Sequence, residues 1–251
     1  MGRASGLFKK SRFLYALTGW SMANGHTTAA AEDGQLRGVP WDSAHGRTVA
    51  ALIATMRDSV RAPLAFFDRV AECEDRWVAV GYALLLDVVG HVLGALWTVV
   101  LAGPVSRESL LESLLAIVLS PLRVLLAVWL FSEVLHGALS FLRGARASRA
   151  VTHRAVAYCY GLAAVYRGVV LPPVVAGASR ALGERLSGEV AEVAALVVLY
   201  AVPLVVYEAI AMRQVHKTRT WKAGAAVAAT WSAIIAVLLL ALLSGRGSEA
   251  S

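Results

Sequence analysis

The sequence predicts an all-α fold: a polytopic membrane helical bundle of five transmembrane helices, preceded by an amphipathic interfacial helix. Three observations predict it. The chain of 251 residues is 58% hydrophobic and only 16% charged, with a mean hydropathy of +0.63, whereas a soluble domain carries about 25% charged residues. The apolar residues gather in long runs after residue 77, while residues 1–77 are ordinary in polarity. The basic residues flank those runs.

Residues 1–38 read as a tail, disordered in expectation. Lys9 and Lys10 precede "FLYALTGW", and "TTAAA" follows, which resembles a weak signal peptide. The apolar core is short and broken by Thr18 and Gly19, and a cleaved leader would export a basic segment. "MGRASG" misses the myristoylation pattern, because Gly6 stands where serine or threonine is needed.

Residues 39–77 read as the amphipathic interfacial segment. Val49, Leu52, Ile53, Met56 and Val60 recur at helical spacing. Arg57, Asp58 and Arg61 take the other face. Pro63 breaks the helix, having no N–H to donate, and a second short turn carries Phe66 and Phe67. Arginines flanking an apolar face suit a helix lying among headgroups. Pro63, Phe66 and Phe67 are therefore expected to form a foot in the membrane interface. Packing on a soluble neighbour is the alternative, and the chain offers no other soluble domain.

Residues 78–243 hold the spans, since about 20 apolar residues cross the hydrocarbon. They are Val78–Leu101, Leu114–Leu142, Ala155–Ala178, Val190–Met212 and Ala223–Leu243. Pro121 and Arg123 interrupt the second, leaving room for a separate interfacial turn in its outer third. Pro172–Pro173 and Pro203 are expected to kink the third and fourth spans. Trp77, Trp221 and Trp97 suit interface anchors. The small residues of "AGAAVAATWSA" allow close helix contact, including with a second copy. Residues 244–251 read as a short C-terminal tail.

Orientation follows from the basic loops. With the N-terminus inside, the inner loops hold Arg143, Arg146, Arg149, Arg154, Arg213, Lys217, Arg219 and Lys222; the outer segments hold Arg107, Arg180, Arg185 and Arg246. An odd number of spans then puts the C-terminus outside. Arginine outnumbers lysine and alanine is abundant, which suggests GC-rich coding and a bacterial inner membrane. The net charge of +7 would suggest nucleic acid in a soluble chain. Here it points to anionic lipid headgroups as partners, and no nucleic acid is expected.

An ionisable group at mid-bilayer costs about 2.5–3.5 kcal/mol on insertion scales, so each needs an explanation. The candidates are Asp87, His91, Glu133, His136 and Arg167, with Arg123 and Glu208 nearer the edges. At ~1.5 Å per residue, Asp87 and Glu133 lie ~13 Å and Arg167 ~18 Å from the inner ends of their spans. Arg167 is therefore expected to pair with Asp87 or Glu133 and fix which helices are neighbours. Two other readings compete. Glu133 and His136 have the spacing of a carboxylate metal-ligand pair, but that chemistry needs a second such motif, and Asp87/His91 is only a near substitute. A proton or ion path through Asp87, His91, Glu133 and Arg167 is the other. Cys73 and Cys159 have no metal spacing and imply neither a disulfide framework nor zinc. No cofactor is expected, and neither nucleotide-binding nor hydrolase motifs occur. Five spans do not divide into the equal halves of many transporters.

"P-x-x-F-F" at Pro63, Phe66 and Phe67, ahead of five spans, resembles the Yip1 domain family. "LLAVWLFSEVLHGALSFLRGARASRAVTHRAVAYCYG" is similar to that family's second span, its histidine (His136), its glycine-bearing loop (Gly144) and the start of its third span (Tyr158). "VVYEAIAMRQVHKTRTWKA" resembles its fourth-span exit, with Arg213, Val215, His216 and the Lys222–Ala223 pair, and "VPWDS" looks like bacterial members. The similarity covers about residues 39–243. The loop at Gly144 departs from the pattern, with one glycine where many members have two. The resemblance implies a non-enzymatic membrane protein that organises membrane or scaffolds partners, including itself. Eukaryotic members bind Rab-type GTPases; no catalytic residues carry over. A transporter or ion/proton channel component using Asp87, His91, Glu133 and Arg167 is the alternative.

Overall fold

The computed structural model describes residues 38–43, 47–102, 107–182 and 201–247. The expected disordered tail, apart from Gly38, and the first half of the expected fourth span lie outside them. Among the described residues every regular element is helical. A 3-10 turn, Pro40–Asp42, comes first. Eight α-helices follow: α1 Val49–Arg61, α2 Pro63–Ala71, α3 Arg76–Ala102, α4 Arg107–Phe141, α5 Arg149–Val169, α6 Leu171–Leu182, α7 Val202–Val215 and α8 Thr220–Gly247.

Three helices are long and apolar enough to cross a membrane: α3, α4 from Leu114 on, and α8 up to Val237. α5 with the start of α6, bent by 45°, makes a fourth if the pair counts as one span. The bend falls just before Pro172–Pro173, whose rings cannot continue the hydrogen-bond ladder. Large apolar side chains stand exposed around the bundle, among them Val100, Val118, Leu126, Val206 and Val237. That is what helices show when their solvent is lipid.

Two boundaries differ from expectation. α4 runs unbroken through Pro121, so there is no separate outer turn. One proline removes one helical hydrogen bond, which packed neighbours in a bundle can offset. Residues 244–247, expected to open a tail, continue α8.

Short caps close the helix ends around residues 143–148 and 217. Ser148 accepts from Val151 N at the start of α5. α4 closes with Arg143 in the left-handed region, φ 51, and Gly144 N donates to Leu139 O at 2.7 Å. Lys217, φ 47, plays the same part after α7.

The tightest crossing is α3 on α5. A Cβ on Gly168 would overlap the Gly90 carbonyl, and one on Gly90 would overlap the Ala164 carbonyl. Glycine at both positions lets the two backbones touch. This crossing brings Asp87 of α3 to Arg167 of α5.

Candidate functional site

The described residues between 39 and 75 pack as a cap on one end of the bundle. Asp42 is its centre. Arg154 Nη2 donates to Asp42 Oδ2 at 2.7 Å, and the Tyr158 hydroxyl donates to Oδ1 at 2.6 Å. Val39 N donates to Oδ2 as well. Arg154 spends its other donors on the carbonyls of Val70 and Asp75, at 3.2 and 2.7 Å. Trp41 joins in, donating from its backbone N to Thr55 and from its indole to Val78 O, at 3.0 Å each. Arg154 and Asp42 are buried, and every charge in the cluster has a partner, as burial requires.

The expected membrane foot is corrected here. Phe66 and Phe67 are 0% exposed. Their rings stand edge-on to Tyr158 and Tyr207, each at 5.4 Å between centroids. Pro63 opens α2 and lines an apolar hollow with Tyr166 and Tyr207. The aromatic pair therefore fills protein and cannot reach headgroups. α1 is turned accordingly. Its buried positions are Thr55 and Ser59, while Val49, Ile53 and Val60 are 58%, 59% and 63% exposed.

The second cluster lies within the spans. Asp87 is wholly buried. Its Oδ2 accepts from Ser120 Oγ at 2.7 Å and from Arg123 Nη2. Its Oδ1 accepts from Arg167 Nη2 at 3.1 Å and, weakly, from the Tyr160 hydroxyl at 3.4 Å. His91 Nδ1 lies 2.9 Å from the Asp87 carbonyl and 3.7 Å from its carboxylate. One carboxylate thus serves two guanidiniums, each 39% exposed. The Arg123 Nε is buried without a partner. A cavity of about 390 Å³ adjoins the cluster, lined by His91, Thr98, Glu112 and Arg167 with Gly90, Gly94 and Gly168 between them. A second cavity of about 280 Å³ carries Arg167, Tyr160, Glu208 and Trp231, where the Trp231 indole donates to Glu208 at 2.7 Å.

Glu133 and His136 stand apart from Asp87, so the five expected polar residues form two groups. Glu133 lies 3.7 Å from Arg149 and from His153. Arg167 meets Asp87 and not Glu133. Among the described residues no group of three or more His, Cys, Asp or Glu side chains could hold a metal. His136 instead belongs to a chain of contacts that ties the loops after α4 and α7 together. The backbone N–H groups of Arg146 and Ala147 donate to His216 Nδ1, at 3.1 Å each. The proton therefore sits on Nε2, which donates to Thr152 Oγ1 at 3.0 Å. The same hydroxyl lies 2.9 Å from His136 Nδ1. Burial, reinforced by His136, pushes the His216 pKa down to about 4, since a charged ring would turn a proton against two donors.

The basic loop residues divide. Arg146 reaches the Lys217 carbonyl, Lys222 the Arg143 carbonyl, and Lys217 the Asp68 carboxylate. Arg143, Arg149, Arg213 and Arg219 are exposed. Sequence reasoning missed Asp42, Arg154 and Ser120 as site residues. Arg154 and Tyr158 are four apart on one helix face and could have signalled a shared ligand. No family model matches the chain, and no curated protein or solved structure matches it.

Proposed function

We propose that the protein is a Yip1-like integral membrane protein with five spans. It is non-enzymatic and organises membrane or scaffolds partners in a bacterial inner membrane. Its N-terminus and packed cap face the cytoplasm, and its C-terminus lies outside. α7 belongs to the fourth span in chain order and α8 to the fifth.

One observation carries this reading. The residues that give the resemblance, scattered through the sequence, converge. Trp41 and Asp42, Phe66 and Phe67, and Tyr158 share one buried cluster. His136 and His216 share another, beside the Gly144 loop. Among the described residues both clusters are held by mutual hydrogen bonds, which suits a scaffold. The surface left for membrane contact is the outer stripe of α1, Val49, Ile53 and Val60, continued by Leu64 and flanked by exposed Arg57 and Arg61. It replaces the phenylalanines as the interfacial face.

The test is reconstitution into vesicles rich in anionic lipid. Wild-type protein should cluster or deform them, as seen by electron cryomicroscopy. A triple variant, Val49→Ser, Ile53→Ser and Val60→Ser, should insert normally and lose the effect. Vesicles unchanged by the wild type would sink the proposal. The polar cavity reaching Arg167 favours a second reading, conduction. Proton or ion flux abolished by Asp87→Asn would support it over the scaffold.

A further inference from the structure

We propose that the cavity between α3, α4 and α5 is a binding site for a phosphate-type oxyanion, held by Arg167. The reasoning starts from charge. Asp87 carries one negative charge and is shared by two guanidiniums. Among the described residues no second carboxylate pairs with either arginine; an unpaired cation inside a span is costly, and a bound anion offsets it. The cap shows the contrast, because Arg154 has one carboxylate and two carbonyls and no surplus.

Geometry adds three supports. Arg167 gives Asp87 a single Nη2 bond, keeps 39% of its side chain exposed and lines the cavity. A guanidinium fork matches the oxygens of a phosphate. The walls are small: Gly94, Ala95 and Ala116 leave room for a ligand, while Gly90 and Gly168 face the opposing helix backbone. The volume, about 390 Å³, falls in the range of small-molecule sites, about 300–1,000 Å³. The cavity extends along α3 from Gly90 to Thr98, toward the end of the bundle opposite the cap. Glu112 also lines it and opposes an anion, yet it forms no ion pair with either arginine among the described residues.

The phosphate has two possible sources, a free ion or a lipid headgroup, and the experiment separates them. The full chain in neutral detergent is melted with inorganic phosphate, with a short-chain phosphatidic acid, and with the matching diacylglycerol, all at constant ionic strength. A rise of several degrees with inorganic phosphate establishes the free ion as a ligand. A rise with phosphatidic acid, absent with inorganic phosphate and with diacylglycerol, establishes the lipid. Arg167→Gln should weaken binding at least tenfold, and Glu112→Gln should strengthen it. Ala116→Leu keeps every charge and fills the cavity, so it should also abolish binding; it decides the matter if Arg167→Gln does not fold. No rise with either phosphate source overturns the site. Undiminished binding by Arg167→Gln or Ala116→Leu, or weaker binding by Glu112→Gln, overturns it as well.

Discussion

The two arginine–aspartate clusters use the same chemistry to opposite ends. In the cap, one arginine meets one carboxylate, both buried, and each remaining donor finds a carbonyl. In the spans, two arginines meet one carboxylate, both are partly open, and a cavity lies beside them. A closed and balanced pair is a support whose loss strands a buried charge. An open and unbalanced one keeps capacity for a ligand. Counting charges and donors separates the two where residue type alone does not.

The sharpest way to break this comparison is to remove the cap arginine. Arg154→Leu strands Asp42 in the core, at a cost of about 3–5 kcal/mol. Thermal melting in detergent should show a collapse of stability and low yield; a near-native melting point would mean the cap pair is no support. Next comes the helix crossing that assembles the second cluster. Gly168→Ala drives a methyl into the Gly90 carbonyl, costing about 1–3 kcal/mol. Gly137→Ala, with open space around it, should leave the melting point unchanged or slightly raised.

A pH titration sharpens the cap side further. The folded His216 pKa of about 4 lies below the ordinary 6.5, so the folded state disfavours the proton. Its stabilising contribution is complete above pH 6.5, falls as pH drops toward 4, and is constant below that. The ring meets His136, the Thr152 hydroxyl and the backbone N–H groups of Arg146 and Ala147, none of them an anion. His216→Gln should flatten the melting curve across that window, and an unchanged slope would assign the acid sensitivity elsewhere. The smallest effect is expected in the spans. Arg167→Gln leaves Asp87 paired with Arg123, so stability should move by less than about 1 kcal/mol, discounted for the exposure of the lost guanidinium. A loss as large as that of Arg154→Leu would erase the distinction between the clusters.

Particular residues show how far the sequence could be read. The lengths of α3, α4 and α8 follow from apolar runs, because crossing lipid is a local requirement. Counting depth along each helix puts Arg167 within reach of Asp87 or Glu133; the Gly90–Gly168 contact chooses Asp87. Arg123 joins because α4 continues past Pro121, where a proline suggested a break. Phe66 and Phe67 misled for a different reason. Amphipathic spacing says that one face is apolar, not whether protein or lipid covers it. Glu133 and His136 share a helix face, yet each finds its own partners on α5.

By itself the sequence determined the solvent and the helices. A run such as Ala223–Leu243, with no charge in it, is long and apolar enough to cross lipid whatever lies elsewhere in the chain. Only the tertiary structure decided which apolar face is covered and which charges are balanced. The side chains that donate to Asp42 lie more than a hundred residues away and those that donate to Asp87 more than thirty. No local pattern of side chains encodes contacts over such separations; they exist only once the helices have packed.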